Sequence, residues 1–148
     1  QNQHGENLIW LFFNPRRVTR EEQENRRQAM EYLSFVGLAD KATELARNLS
    51  FAEQKLLGLA RLLATETDVL LLDEPASGID PGWVEKMMTL IQHLAESGKT
   101  ICVVEHNLDV VKGIADTVYF VQEGKDIAKG SATTLMADPK LAEIYFGA

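Results

Sequence analysis

The chain has 148 residues, 45% of them hydrophobic, enough for one modest core and too few for two independent ones. With 15 Lys and Arg against 22 Asp and Glu, its formal charge is −7, which argues against a general nucleic-acid binder. The longest apolar runs, such as residues 8–13, fall well short of a membrane span, no signal peptide is evident, and a single cysteine, Cys102, rules out an intrachain disulfide.

Asn14-Pro15 marks a break. Thr19 with Glu22 fits a capping box that opens a helix, and Ala29, Met30, Leu33 and Val36 give it helical spacing up to Gly37, the expected C-cap. Arg16, Arg17, Arg20, Arg26 and Arg27 interleave with Glu21, Glu22 and Glu24, as on a solvated helix face. A short helix over 40–46 follows. Ser50 and Glu53 form a second capping box, in which Ser50 satisfies an orphan amide and Glu53 reaches back to the Ser50 amide. The helix it opens continues through Leu56, Leu57, Leu59, Ala60 and Leu63, a broad buried stripe.

Residues 68–73 read as a strand. Three of the four residues 69–72 are Leu and nothing alternates, which fits a strand covered on both faces in a parallel α/β sheet. Asp73 and Glu74 then stand at its carboxyl end, the edge where open α/β sheets bind ligands. Adjacent acids there can divide the work of phosphoryl transfer, Asp73 holding Mg2+ through its water shell and Glu74 polarising a water. The plainer alternative is a strand ending in a solvated acidic turn. Pro81 suits the first turn of the next helix, with Asp80 as its N-cap, and Val84, Met87, Met88, Ile91 and Leu94 give that helix its core face before Ser97-Gly98 stops it.

Residues 100–104 form a second aliphatic strand in which Cys102 reads as a small core side chain. His106 lies just past its carboxyl end, whereas His4 and His93 have no such setting and read as structural or surface residues. Asn107 caps a short helix running to Ile114. Residues 118–121 and 127–128 flank Glu123-Gly124-Lys125, a hairpin turn with a glycine suited to positive φ. Asp138-Pro139 precedes a last helix carrying Leu141, Ile144, Tyr145 and Phe146.

In this order the motifs resemble those of the ATP-binding subunit of an ABC transporter. Residues 48–64, Asn-Leu-Ser-Phe-Ala-Glu-Gln-Lys-Leu-Leu-Gly-Leu-Ala-Arg-Leu-Leu-Ala, are similar to the signature segment and its helix. Residues 70–75, Leu-Leu-Leu-Asp-Glu-Pro, resemble the Walker B strand with its catalytic glutamate; residues 77–80, Ser-Gly-Ile-Asp, the D-loop; and residues 101–106, Ile-Cys-Val-Val-Glu-His, the strand and switch histidine. The 116–130 hairpin and the end of the chain look most like the branched-chain amino acid importer subgroup. The resemblance implies part of a P-loop NTPase fold, with a helical subdomain segment over 1–65 and the catalytic half of the sheet over 66–148. It implies ATP with Mg2+, catalysis by Glu74 and His106, Asp73 on the metal, and His106 as a neutral imidazole on the γ-phosphate. Ser50, Phe51, Ala52 and Glu53 would meet the phosphate of a second ATP-binding subunit at a helix N-terminus, with Asp80 reaching the partner's site or acting only as a cap. Phe51, Ala52 and Glu53 replace the usual Gly-Gly-Gln, and a carboxylate there repels phosphate unless it is turned into the capping role. Transmembrane permease subunits would be the other partners, at the inner face of the cell membrane, and the arginine-rich helix is either merely solvated or a docking surface for them.

No Gly-x-x-x-x-Gly-Lys-Ser/Thr loop occurs, so the backbone nest and lysine that cradle the β and γ phosphates are missing. The adenine-stacking aromatic is also missing, and Gln1 and Gln3 do not fix a glutamine loop. The chain therefore looks like the second half of a nucleotide-binding domain. The expectation is little or no ATPase activity alone, and self-association through an unpaired apolar strand edge. Two other readings stay open: a non-catalytic module that docks on a transporter, and a soluble ABC-type ATPase outside transport.

Overall fold

A computed structural model describes residues 15–141. Gln1, Gln3, His4, the apolar run 8–13 and the last-helix residues Ile144, Tyr145 and Phe146 lie outside the described residues. Two compact units divide the chain, one ending at Thr67 and the other beginning at Asp68. Among the described residues, no helix is long and apolar enough to cross a membrane.

In the first unit, α1 (Pro15–Phe35) packs on α2 (Phe51–Leu63). Helix α1 already includes Pro15, so Thr19 lies a turn inside it and does not open it; proline is well accommodated in a first turn, where its missing amide costs nothing. Val18 near its start and Val36 just past its end are buried, whereas the expected stripe residues Ala29 and Met30 are exposed. Arg27 pairs with both Glu24 and Glu31, and Arg20 and Arg26 are exposed, as a solvated face requires. The helix ends in a Schellman motif: Gly37 adopts φ +74°, its N–H donates to Ser34 O at 3.0 Å, and Leu38 N–H donates to Leu33 O at 2.7 Å. The expected 40–46 helix is instead two short 3-10 turns, Ala39–Lys41 and Ala46–Asn48, neither of which has a side-chain cap or a buried residue to anchor a longer helix. Helix α2 buries Ala52, Leu56, Leu59, Ala60 and Leu63, with Leu57 half-buried at the stripe's edge.

In the second unit, β1 (Val69–Asp73) pairs in parallel with β2 (Thr100–Val104), Leu70 opposite Ile101 and Asp73 opposite Val104. The crossover is α3 (Pro81–Glu96), which packs back against β2 and buries Met87, Leu90, Ile91 and Leu94. Because side chains alternate along a strand, one sheet face carries Leu70, Leu72, Ile101 and Val103, and the other Val69, Leu71, Cys102 and Val104. Leu70 is wholly buried, but Leu71 is 73% and Val104 61% exposed. The expectation of a strand covered on both faces therefore fails for the described residues, and Cys102 is exposed on the open face and not a core thiol. Helix α4 (Leu108–Ile114) packs on α3, where Gly113 leaves room for the end of the Met88 side chain.

A hairpin closes the unit. Strands β3 (Val118–Gln122) and β4 (Lys125–Gly130) are joined by Glu123 and Gly124, both at positive φ, a two-residue turn whose twist suits a hairpin. The register shifts after Phe120, where Ile127 is the extra residue. Ser131 caps the short α5 (Ala132–Met136) by accepting the Thr134 N–H at 3.2 Å.

Gly37→Ala is expected to lower stability by about 1 kcal/mol, because an L side chain resists the left-handed conformation. Urea unfolding should show a lower midpoint with an unchanged slope.

Candidate nucleotide site

Parallel pairing in register brings the carboxyl ends of β1 and β2 together, and the loops that leave them emerge side by side. The Glu74 N–H donates to Val104 O at 2.9 Å, extending the pairing one residue past the strand. Residues 74–77 then form a turn, with Pro75 in its second position and the Ser77 N–H on Glu74 O at 3.2 Å. Glu74 itself has φ +44°, a left-handed conformation that costs a non-glycine residue about 1–3 kcal/mol and that a following proline further disfavours. Such strain collects where a side chain must be aimed.

Glu74 is aimed at His106. Its Oε1 lies 3.1 Å from His106 Nδ1, and both side chains are about half exposed, open to solvent and to a ligand. An ionised carboxylate only accepts, so the Nδ1 facing it must carry the proton. In the neutral ring this leaves Nε2 as an acceptor, able to take a proton from water; donation from Nε2 to a phosphate oxygen requires the imidazolium or release of Glu74. The expectation of a neutral imidazole donating to phosphate thus conflicts with the ring's engagement as it stands here.

Asp73 is the last residue of β1, exposed, on the sheet face opposite Leu72. Among the described residues, no three His, Cys, Asp or Glu side chains cluster closely enough to enclose a metal. A lone carboxylate at a strand end suits Mg2+, which keeps several waters and takes one or two carboxylates together with substrate phosphates. Asp80 occupies the N-cap position of α3, but its side chain makes no capping hydrogen bond. The Trp83 and Val84 amides are instead taken by the Asp80 carbonyl, at 2.9 and 3.0 Å, and Pro81 has no amide to satisfy.

Glu105 was not among the residues that the sequence singled out. Its Oε1 accepts the Ala76 N–H at 3.1 Å, and its Oε2 accepts the His106 N–H at 3.2 Å and the Asn107 N–H at 3.4 Å. A carboxylate between an aliphatic strand and a histidine was the available signal, masked by the histidine beside it. Asn107 caps α4 as expected, its Oδ1 accepting the Asp109 and Val110 amides.

In the first unit, Ser50 and Glu53 complete their capping box: the Glu53 N–H donates to Ser50 Oγ at 3.3 Å, and the Ser50 N–H to Glu53 Oε2 at 2.8 Å. The other Glu53 oxygen pairs with Lys41. The Lys41 hydrogen bond, followed by those from Ser50, lowers Glu53 from its ordinary value of 4.5 to about 2, and the same pairing raises Lys41. The carboxylate is thus turned into the capping role that a phosphate nearby would demand. Ala52 is buried behind it, while Phe51 is exposed at the helix start with Lys55 Nζ 5.5 Å from its ring centre.

A family model for ABC transporters matches residues 3–77. The chain belongs to that family. It is 36% identical over 119 residues to the L-cystine transport system ATP-binding protein TcyN of Escherichia coli, covering 80% of this chain and 48% of the relative. It is 33% identical over 129 residues to the high-affinity branched-chain amino acid transport ATP-binding protein LivG of Salmonella typhimurium, covering 86% and 51%. Among solved structures, it is similar to a nucleotide-free ATP-binding cassette from an ABC transporter, with a TM-score of 0.79 and 30% identity over 96% of this chain and 57% of the other. An ATP-binding cassette of an ABC transporter in its ADP conformation gives a TM-score of 0.73 and 32% identity over 84% and 51%. The fold is accordingly part of the α/β P-loop NTPase fold, and the ABC chain spans about half the length of the curated relatives that it matches.

Two measurements check the site's physics. Glu53 has a lower value folded than unfolded, so its stabilisation is complete above the unfolded value and is lost as pH falls from about 4.5 through about 2. Wild-type chain should therefore be more stable than Glu53→Gln at neutral pH, and urea midpoints of the two should converge as pH falls through that window. At Glu74, glycine relieves the left-handed strain and alanine does not, so Glu74→Gly should be more stable than Glu74→Ala by about 1 kcal/mol in thermal unfolding.

Proposed function

We propose that this chain supplies the hydrolytic part of an ATP site in an ABC transporter. The observation that most supports this reading is the 3.1 Å contact of Glu74 with His106 across the ends of two parallel strands. In this reading, Asp73 holds Mg2+, which when bound neutralises charge on the β and γ phosphates. Glu74 turns from His106 to polarise the attacking water, and the released imidazole donates from Nε2 to the γ-phosphate and holds that water in register. The α2 N-terminus at Ser50, Phe51, Ala52 and Glu53 meets the phosphate of a second ATP-binding subunit, and Asp80 reaches that subunit's site. As a dimer seated on transmembrane permease subunits, at the inner face of the cell membrane, the assembly would energise import of an amino acid or similar small solute. The cystine and branched-chain amino acid systems named for the relatives support that solute class.

The phosphate loop is the main electrostatic clamp in phosphoryl transfer, and this sequence has none. The chain by itself is therefore expected to hydrolyse little ATP, and hydrolysis should appear when a phosphate-loop half is supplied in trans. In that assay Glu74→Gln should lower turnover by about 100-fold or more, the usual range for a lost general base. Robust turnover by the chain alone, or full activity of Glu74→Gln in the mixture, would overturn the reading.

A further inference from the structure

We propose that Glu105 is a positioning residue that ties the turn at residues 76–80 to His106, so that displacement of the turn is passed to the imidazole. The carboxylate folds back over the end of β2 and spans two loops that are 29 residues apart in sequence. On one side its Oε1 accepts the N–H of Ala76, a buried residue that anchors the turn. On the other, Oε2 accepts the amides of His106 and Asn107, which fix the backbone from which the imidazole projects. The circuit closes through Glu74, whose side chain meets the ring and whose carbonyl accepts the Ser77 N–H within the same turn.

A carboxylate is suited to this task because both its oxygens accept and neither donates. The amide of glutamine would turn an NH2 toward one of the backbone N–H groups. Hydrogen bonds from amides to a charged acceptor are among the stronger ones, so this link resists motion more than a neutral contact would. Beyond Ala76 the turn runs through Gly78, at φ +72°, to Asp80 and Pro81 at the start of α3. Any contact made by a partner on residues 77–80 therefore pulls on the Ala76 amide, and through Glu105 on His106. The importance of that motion for ATP hydrolysis rests on the reading proposed above, but the tie itself does not.

The test uses the full 148-residue chain without nucleotide, followed by NMR. In Glu105→Gln, hydrogen exchange should quicken by about tenfold or more on whichever side the NH2 faces, at the Ala76 amide or at those of His106 and Asn107, as loss of a hydrogen bond to a charged acceptor implies. A coupling experiment then separates positioning from simple support. Gly78→Ala strains the turn at its positive φ; it should shift the His106 ring resonances when Glu105 is present and shift them at most half as far in the Glu105→Gln background, where only the route through Glu74 remains. Unchanged exchange at the Ala76, His106 and Asn107 amides alike in Glu105→Gln would overturn the proposal, as would a His106 shift from Gly78→Ala that is the same in both backgrounds. If Glu105→Gln fails to fold, Glu105→Asp serves in its place: its shorter reach should keep the His106 side and release Ala76. Because no nucleotide is present, the tie can fail while the ATPase reading stands, and the reverse.

Discussion

Everything at the candidate site depends on the parallel, in-register pairing of β1 with β2. An antiparallel partner would send the two following loops to opposite ends of the sheet. Here Asp73 lies opposite Val104, and both chains leave the sheet at the same level. The Glu74 amide on the Val104 carbonyl holds the exits together, and only then can a side chain from one loop reach the ring of the other. The α3 crossover makes the parallel arrangement possible, which is why its buried stripe of Met87, Leu90, Ile91 and Leu94 matters to chemistry that it does not touch.

Three acids sit within a few residues of these exits, and their surroundings separate their roles. Glu105 has its oxygens occupied by backbone amides and so acts as structure. Glu74 is held in a costly backbone conformation with its side chain toward an imidazole. Asp73 remains exposed at the strand end, where a hydrated cation can reach it. The same principle operates in the first unit, where a carboxylate at a helix start spends both its oxygens on Ser50 and Lys41.

Local rules carried far in this chain wherever one short-range interaction decided the outcome. The Ser50 and Glu53 box, the Asn107 cap, the Pro81 helix start and the extent of β2 follow from neighbouring residues, and the structure contains each of them. The start of α1 was obscured because a good capping pair at Thr19 and Glu22 competes with a proline that suits a first turn equally well. The run of leucines in β1 suggested cover on both faces, but cover is a property of what packs on a strand, which the strand cannot encode. At the site, the proximity of Glu74 and His106 was legible from their places after two aliphatic strands. Glu105 was not, because its role rests on backbone amides, one of them 29 residues away, which leave no mark in side-chain pattern.

The open face of the β1 and β2 sheet has a practical side. Val69, Leu71 and Val104 lie together in solvent with Cys102 among them. Environment-sensitive dyes that fluoresce on apolar surface, and maleimide labels that report accessible thiols, are commonly used to recognise misfolded protein. In this chain both would respond to correctly formed strands, so a screen for folding based on either signal would discard the molecules it was meant to keep.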